Sequence, residues 1–122
     1  MLSHAKKKYL FFLYELGSNG NEVRSRDLAA CLQVKRPSVS KMLTALREEG
    51  LIEKEYYSTI RFTQAGARIS NALYTDYLLL NAFFQEKLGV SKENARQDAI
   101  TGVCSFTDEG LQKLTAHMLG EK

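Results

Sequence analysis

The chain has 122 residues, 44% hydrophobic and 25% charged, with a formal net charge of +3. That length can bury a real core but not two large independent domains. No apolar run approaches the roughly 20 residues that span a bilayer, and the basic Met1–Lys8 runs into Tyr9–Leu16, too short and aromatic for a secretory signal, so a cytoplasmic location is expected.

Residues 1–71 hold 12 Lys or Arg against 7 Asp or Glu, and residues 72–122 hold 5 against 7. The excess of cations therefore lies in the first half, where it suits phosphate contact. Cys31 and Cys104 have no CxxC partner and read as reduced, mostly buried thiols.

Residues 5–16 read as a first helix with Tyr9, Leu10, Phe12, Leu13 and Leu16 on a broad apolar face, broken by Gly17-Ser18-Asn19-Gly20-Asn21. Lys6-Lys7-Lys8 read as a solvated face, with phosphate contact the alternative. Ser25 is the expected N-cap of a second helix, Arg26–Leu32, with Leu28, Ala29 and Leu32 inward.

After a turn at Gln33–Arg36, a third helix opens at Pro37, a residue suited to the first helical position, and closes at Gly50. Val39, Met42, Leu43 and Leu46 fall at i, i+3, i+4 and i+7, one apolar stripe. The opposite side carries Ser38, Lys41, Thr44 and Ala45, small or basic and free of acids. Lys35 and Arg36 place two cations at an end whose N–H groups have no obvious cap. Such a face suits a DNA major groove.

Leu51–Tyr57 and Ile60–Thr63 read as two short strands around Tyr57-Ser58-Thr59. Ile60 and Phe62 should face the core, and Thr59 and Arg61 outward. The helix pair and hairpin make a winged helix-turn-helix whose wing places Ser58, Thr59 and Arg61 near the DNA backbone or minor groove. From Ala65 a long helix follows, with Ile69, Ala72, Leu73, Asp76, Leu80 and Phe83 on one stripe, widened by Tyr77, Phe84 and Leu88. It ends at Leu88-Gly89-Val90. Ser91 caps a helix to about Cys104. Thr107 caps the last, with Asp108 and Glu109 in its first turn and Leu111, Leu114, Met118 and Leu119 on its apolar side.

The expected fold is mostly α with a small β-hairpin: a winged helix-turn-helix over residues 1–71 and a helical dimerisation layer over residues 72–122. Base contacts are expected from Ser38 and Lys41. Further DNA contacts are expected from Arg26, Lys35, Arg36, Pro37, Ser40, Ser58, Thr59 and Arg61, with Arg24 an alternative to Arg26.

Several strings resemble the diphtheria-toxin-repressor/manganese-repressor (DtxR/MntR) family of iron- or manganese-dependent repressors. They are Tyr9-Leu10 to Tyr14, Pro37-Ser38-Val39-Ser40-Lys41-Met42, Leu51-Ile52 after Gly50, Thr63-Gln64-Ala65-Gly66 and Leu88-Gly89-Val90. The resemblance covers nearly the whole chain. It implies a homodimeric regulator, a repressor, that binds a palindromic double-stranded operator through positions matching Lys35, Pro37, Ser38 and Lys41. Larger relatives add an SH3-like domain, and none is expected at this length.

The resemblance also implies a metal site for Mn(II) or Fe(II), and there the chain departs from it. The ligand positions carry Lys8, Phe11, Asp76, Ile100, Val103 and Cys104. A divalent ion needs several carboxylate or imidazole ligands converging, and Asp76 and Cys104 cannot hold one alone. No metal or other cofactor is expected, which suggests a regulator whose standard metal switch is missing. Lys8 and Asp76 are candidates for an ion pair that replaces the cation, the alternative being two solvated side chains. A different metal site would draw on His4, Asp76, Cys104 or His117.

Two other functions are weighed: a multiple-antibiotic-resistance-type (MarR) regulator responding to an aromatic ligand near Tyr74, Tyr77, Phe83 and Phe84, and a winged-helix protein-interaction module. No enzyme is expected, because the chain shows no nucleophile–base arrangement, phosphate loop or carboxylate pair.

Overall fold

The computed structural model describes residues 2–53 and 59–120. In chain order it contains α1 (His4–Gly17), β1 (Val23–Arg24), α2 (Ser25–Leu32), α3 (Arg36–Glu48), β2 (Thr59–Ile60), α4 (Gln64–Glu86), α5 (Lys92–Ser105) and α6 (Asp108–Met118). The fold is mostly helical with a small antiparallel β element, as the sequence predicts. The chain divides within α4 into two compact units, Met1–Asn71 and Ala72–Lys122.

In the first unit, the Ser3 hydroxyl accepts the Lys6 N–H at 3.2 Å and starts α1, which buries Tyr9, Leu10, Phe11 and Leu13. The expected cap at Ser25 is corrected. Ser25 is already helical, and the flanking residue is Arg24, whose backbone N–H donates to the Asp27 carboxylate at 2.8 Å. An acid at the third helical position reaches back to that amide and meets the positive end of the helix dipole. Cys31, expected to be buried, is exposed, because α2 packs through Leu28 and Ala29. The helix ends at Gln33, held left-handed at φ 54°, with Val34 N–H donating to the Ala29 carbonyl at 3.1 Å.

α3 begins one residue before Pro37, at Arg36. It buries Val39, Leu43 and Leu46, with Met42 half-buried. At its far end the Leu51 N–H donates to Leu46 at 3.0 Å and the Gly50 N–H to Arg47 at 2.9 Å. This paired closure turns the chain through Gly50 at φ 75°, a conformation that favours glycine. Leu46 and Leu51, the residues it brings together, are both buried.

β1 pairs antiparallel with β2, Val23 opposite Ile60 and Arg24 opposite Thr59. β1 was not expected, since two residues carry no readable period. The expected hairpin is present where it is described: Ile52 bridges Phe62, and the Glu53 N–H donates to Arg61 at 2.8 Å. Its tip, including Ser58, lies outside the described residues. The reading of Thr59 is corrected too. It was expected to face out with Arg61, but it is only 9% exposed, because β1 covers the edge that a lone hairpin would leave open.

α4 starts at Thr63, whose hydroxyl accepts the Gly66 N–H at 3.1 Å and donates to the Gly50 carbonyl at 2.6 Å. The Thr63 N–H donates to the Leu51 carbonyl at 3.2 Å. The backbone of α4 comes so close that a Cβ on Gly66 would fall inside the Leu51 carbonyl group.

In the second unit, Leu73, Tyr77 and Leu80 form the buried line of α4, while Ala72, expected on that line, is exposed. Ser91 caps α5 by accepting the Asn94 N–H at 3.3 Å, and Ala95, Ala99, Val103 and Cys104 are buried. Thr107 caps α6 by accepting the Gly110 N–H at 3.0 Å, with Asp108 and Glu109 in the first turn. Leu111 is buried. Leu119 lies past the last helical residue and is 61% exposed, so it does not join the apolar side expected of it. Among the described residues, no helix is long and apolar enough to cross a membrane.

Gly66→Ala is expected to destabilise the chain by about 3 kcal/mol or more, since a backbone carbonyl cannot yield as a side chain can. Chemical denaturation of the variant checks this.

Candidate nucleic-acid interface

The side of α3 opposite its buried stripe presents Ser38, Ser40, Lys41 and Thr44, all exposed, with Lys35, Arg36 and Pro37 exposed at its N-terminus. Lys35 flanks the helix without a side-chain cap. Pro37 brings no N–H, and the Ser38 and Val39 amides already donate to the Lys35 carbonyl at 3.0 and 3.3 Å, so the attraction of this end for a phosphate rests on the cations Lys35 and Arg36 and on the helix dipole. Among the described residues, the side chains of Lys35, Arg36, Ser38, Ser40 and Lys41 make no hydrogen bond or ion pair.

Thr44 is committed locally: its hydroxyl donates to the Ser40 carbonyl at 3.0 Å and receives the Arg47 guanidinium at 3.2 Å. The donors closest to the helix start are thus the uncommitted ones. The face is basic over its first turns and meets an acid only at Glu48.

Arg26 is exposed on the first turn of α2, and Arg61 is exposed just beyond β2. Arg24 lies 3.6 Å from Glu22, which partly neutralises it. At the other end of α3, Lys6 of α1 pairs with Glu49 at 2.7 Å, so this lysine of the basic N-terminal run is a brace rather than a solvated charge. Composition could not reveal that pair, because it joins residues far apart in the chain.

A half-open cleft of about 390 Å³ lies between α1 and the sheet, lined by Leu13, Tyr14, Val23, Ile60 and Phe62 together with Gly17, Ser18 and Asn21. It holds no charged side chain. Tyr74 and Tyr77, weighed as part of an aromatic pocket, lie in the second unit with ring centroids 5.4 Å apart, and Arg96 donates to the Tyr77 hydroxyl at 2.9 Å.

Residues 1–60 match the model of the iron dependent repressor N-terminal DNA binding domain. The transcriptional regulator MntR of Escherichia coli O157:H7 is 34% identical over 91 residues, which are 75% of this chain and 58% of that protein. The chain belongs to the DtxR/MntR family of iron-dependent-repressor regulators. An uncharacterised HTH-type transcriptional regulator of Methanocaldococcus jannaschii is 24% identical over 94% of this chain and 89% of its own. Among solved structures, ScaR with bound Zn2+ aligns over 96% of this chain and 54% of its own, with a TM-score of 0.73 and 26% identity. The chain thus spans little more than half the length of MntR and ScaR. The family consists of transcriptional regulators, not enzymes.

In this DtxR/MntR member, the positions where the family resemblance implies metal ligands hold the wrong chemistry. In the first unit, Lys8 is an exposed ammonium and Phe11 a fully buried ring. In the second, Ile100 is half-buried, and Val103 and Cys104 are buried. Only Asp76 and Cys104 offer a ligand to a divalent ion, and manganese or ferrous iron prefers carboxylates and imidazoles. Among the described residues, no three His, Cys, Asp or Glu side chains come together. The residues present do not fit that ion.

Asp76 is half-buried, and burial pushes its carboxyl above the ordinary carboxylate value. A carboxyl whose folded pKa is raised contributes stability that is fully present below the unfolded pKa and is lost as pH rises through the folded one. Asp76→Asn is therefore expected to raise the melting temperature at pH 7. The gain should vanish as pH falls below the ordinary carboxylate value of about 3.9, as melting curves across that range would show.

Proposed function

We propose that this chain is a sequence-specific DNA-binding transcriptional regulator, a repressor, that reads a palindromic operator as a homodimer with the exposed face of α3. The observation that carries this reading is the division of labour on one helix. Val39, Leu43 and Leu46 hold it in the core, while the opposite side carries Ser38, Ser40 and Lys41, whose side chains have no partner among the described residues. Ser38 and Lys41 reach base edges. Lys35, Arg36, Arg26 and Arg61 meet phosphates, with Pro37 and Ser40 at the same surface.

The second unit, residues 72–122, supplies the dimer contact. Of the five large hydrophobic residues exposed among the described residues, four lie there: Leu78, Leu88, Phe106 and Leu119. Apolar groups in this number favour burial against a second copy. Binding proceeds without a divalent metal, because four of the six positions at which the family resemblance implies ligands carry hydrocarbon or an ammonium, and Asp76 and Cys104 alone do not hold one.

A duplex selection from a randomised library, followed by anisotropy titration with and without a chelator, tests the reading. Selective, chelator-insensitive binding by a dimer is expected. Failure to enrich any sequence overturns the DNA-reading assignment. Loss of binding in chelator that Mn(II) or Fe(II) restores overturns only the metal independence. Against the selected duplex, Lys41→Ala should relax discrimination at one base position by about 1–3 kcal/mol. Arg61→Ala should instead weaken binding to all sequences alike and lower the salt slope by about 1.

A further inference from the structure

The two ends of α3 are treated differently. Its N-terminal turn is exposed and uncapped by any side chain. Its C-terminal end is held from two directions. Lys6 pairs with Glu49 at 2.7 Å, and the Thr63 hydroxyl donates to the Gly50 carbonyl at 2.6 Å while accepting the Gly66 N–H at 3.1 Å. The Thr63 N–H adds a bond to Leu51 at 3.2 Å. One small side chain thus ties the end of α3 to the start of α4.

We propose that Thr63 is a specificity-determining positioning residue: by fixing the end of α3 against the start of α4, it sets the angle at which Ser38 and Lys41 meet base edges, without touching DNA itself. This rests on the DNA-reading assignment above.

The lever is long. α3 has 13 residues, so at 1.5 Å per residue a tilt of about 5° at the anchored end moves the first turn by about 1.7 Å. That exceeds the roughly half-ångström window in which an N–H···O bond is made. Phosphate contacts need only a cation near a charged backbone and tolerate such a shift, whereas base-edge contacts need a donor in register with one particular atom and do not. Loosening the clamp should therefore cost discrimination first and general affinity last.

The readout is the ratio of affinities for the selected duplex and for the same duplex with its bases scrambled. Thr63→Val removes both hydroxyl bonds, the clamp to Gly50 and the cap on Gly66. Thr63→Asp isolates the clamp, because its carboxylate still caps α4 but cannot donate to Gly50. Any general repulsion from the new charge cancels in the ratio.

Both variants are expected to lower the ratio by about tenfold or more, and Thr63→Ser to stay within about twofold of the unaltered chain. A folded Thr63→Asp variant that keeps its ratio within about twofold overturns the proposal, and so does a parallel loss of affinity for both duplexes. An unaltered chain with no preference between the duplexes overturns the DNA-reading assignment and this inference with it.

Discussion

The carbonyls of Gly50 and Leu51 are the point on which the first unit turns. Both lie just past the end of α3, where a carbonyl has no helical partner of its own. Thr63 answers both, with its hydroxyl on Gly50 and its N–H on Leu51. The geometry then constrains everything nearby. α4 must approach the Leu51 carbonyl so closely that only glycine fits at residue 66. The chain must leave α3 in a left-handed turn, which Gly50 supplies. The strand segment that returns to Thr63 must bring Phe62 opposite Ile52, where the bridge is found. Helix, hairpin and long helix are thus one hydrogen-bonded junction, not three elements packed by apolar contact alone.

Strain is spent at the other end of the reading unit. The turn between α2 and α3 places Gln33, not glycine, in the left-handed region. For a side chain with a Cβ that costs on the order of 1–2 kcal/mol. The turn is repaid by two carbonyls of α2 that accept from Gln33 and Val34. It sits immediately before Lys35 and Arg36, so the strained residue is also the one that aims the basic start of α3.

The helices were legible because their signals are local. Ser91 and Thr107 announce their helices by side-chain chemistry within four residues, and the stripe of Val39, Leu43 and Leu46 needs only its own spacing. What stayed hidden depends on partners far along the chain. β1 exists because Ile60 and Thr59 return to pair with it. The same return buried Thr59 and drew Arg24 into an extended conformation that moved the helix boundary past Ser25. Lys6 reads as one of three like charges until Glu49 is brought beside it. The exposed small and basic side of α3 was visible as a pattern, but the hydrogen-bonded clamp at its far end was not. Its three members, Gly50, Thr63 and Gly66, are individually unremarkable, and only folding places them together.

The positions at which the family places its metal ligands show how a fold can keep its architecture while changing what stabilises it. Carboxylates gathered around a vacant point repel one another, and each resists ionisation until a cation arrives. A chain built that way is fully stable only with its ion. Here Phe11 and Val103 are fully buried hydrocarbon, each contributing on the order of 1.5–3 kcal/mol through burial without any ion to compensate. Val103 and Phe11 lie in different units, so each unit closes its own core by packing. Asp76, half-buried with a raised pKa, is the one acid among these positions, and it carries the cost of its own burial. Packing at Phe11 and Val103 stabilises the two units irrespective of any ion.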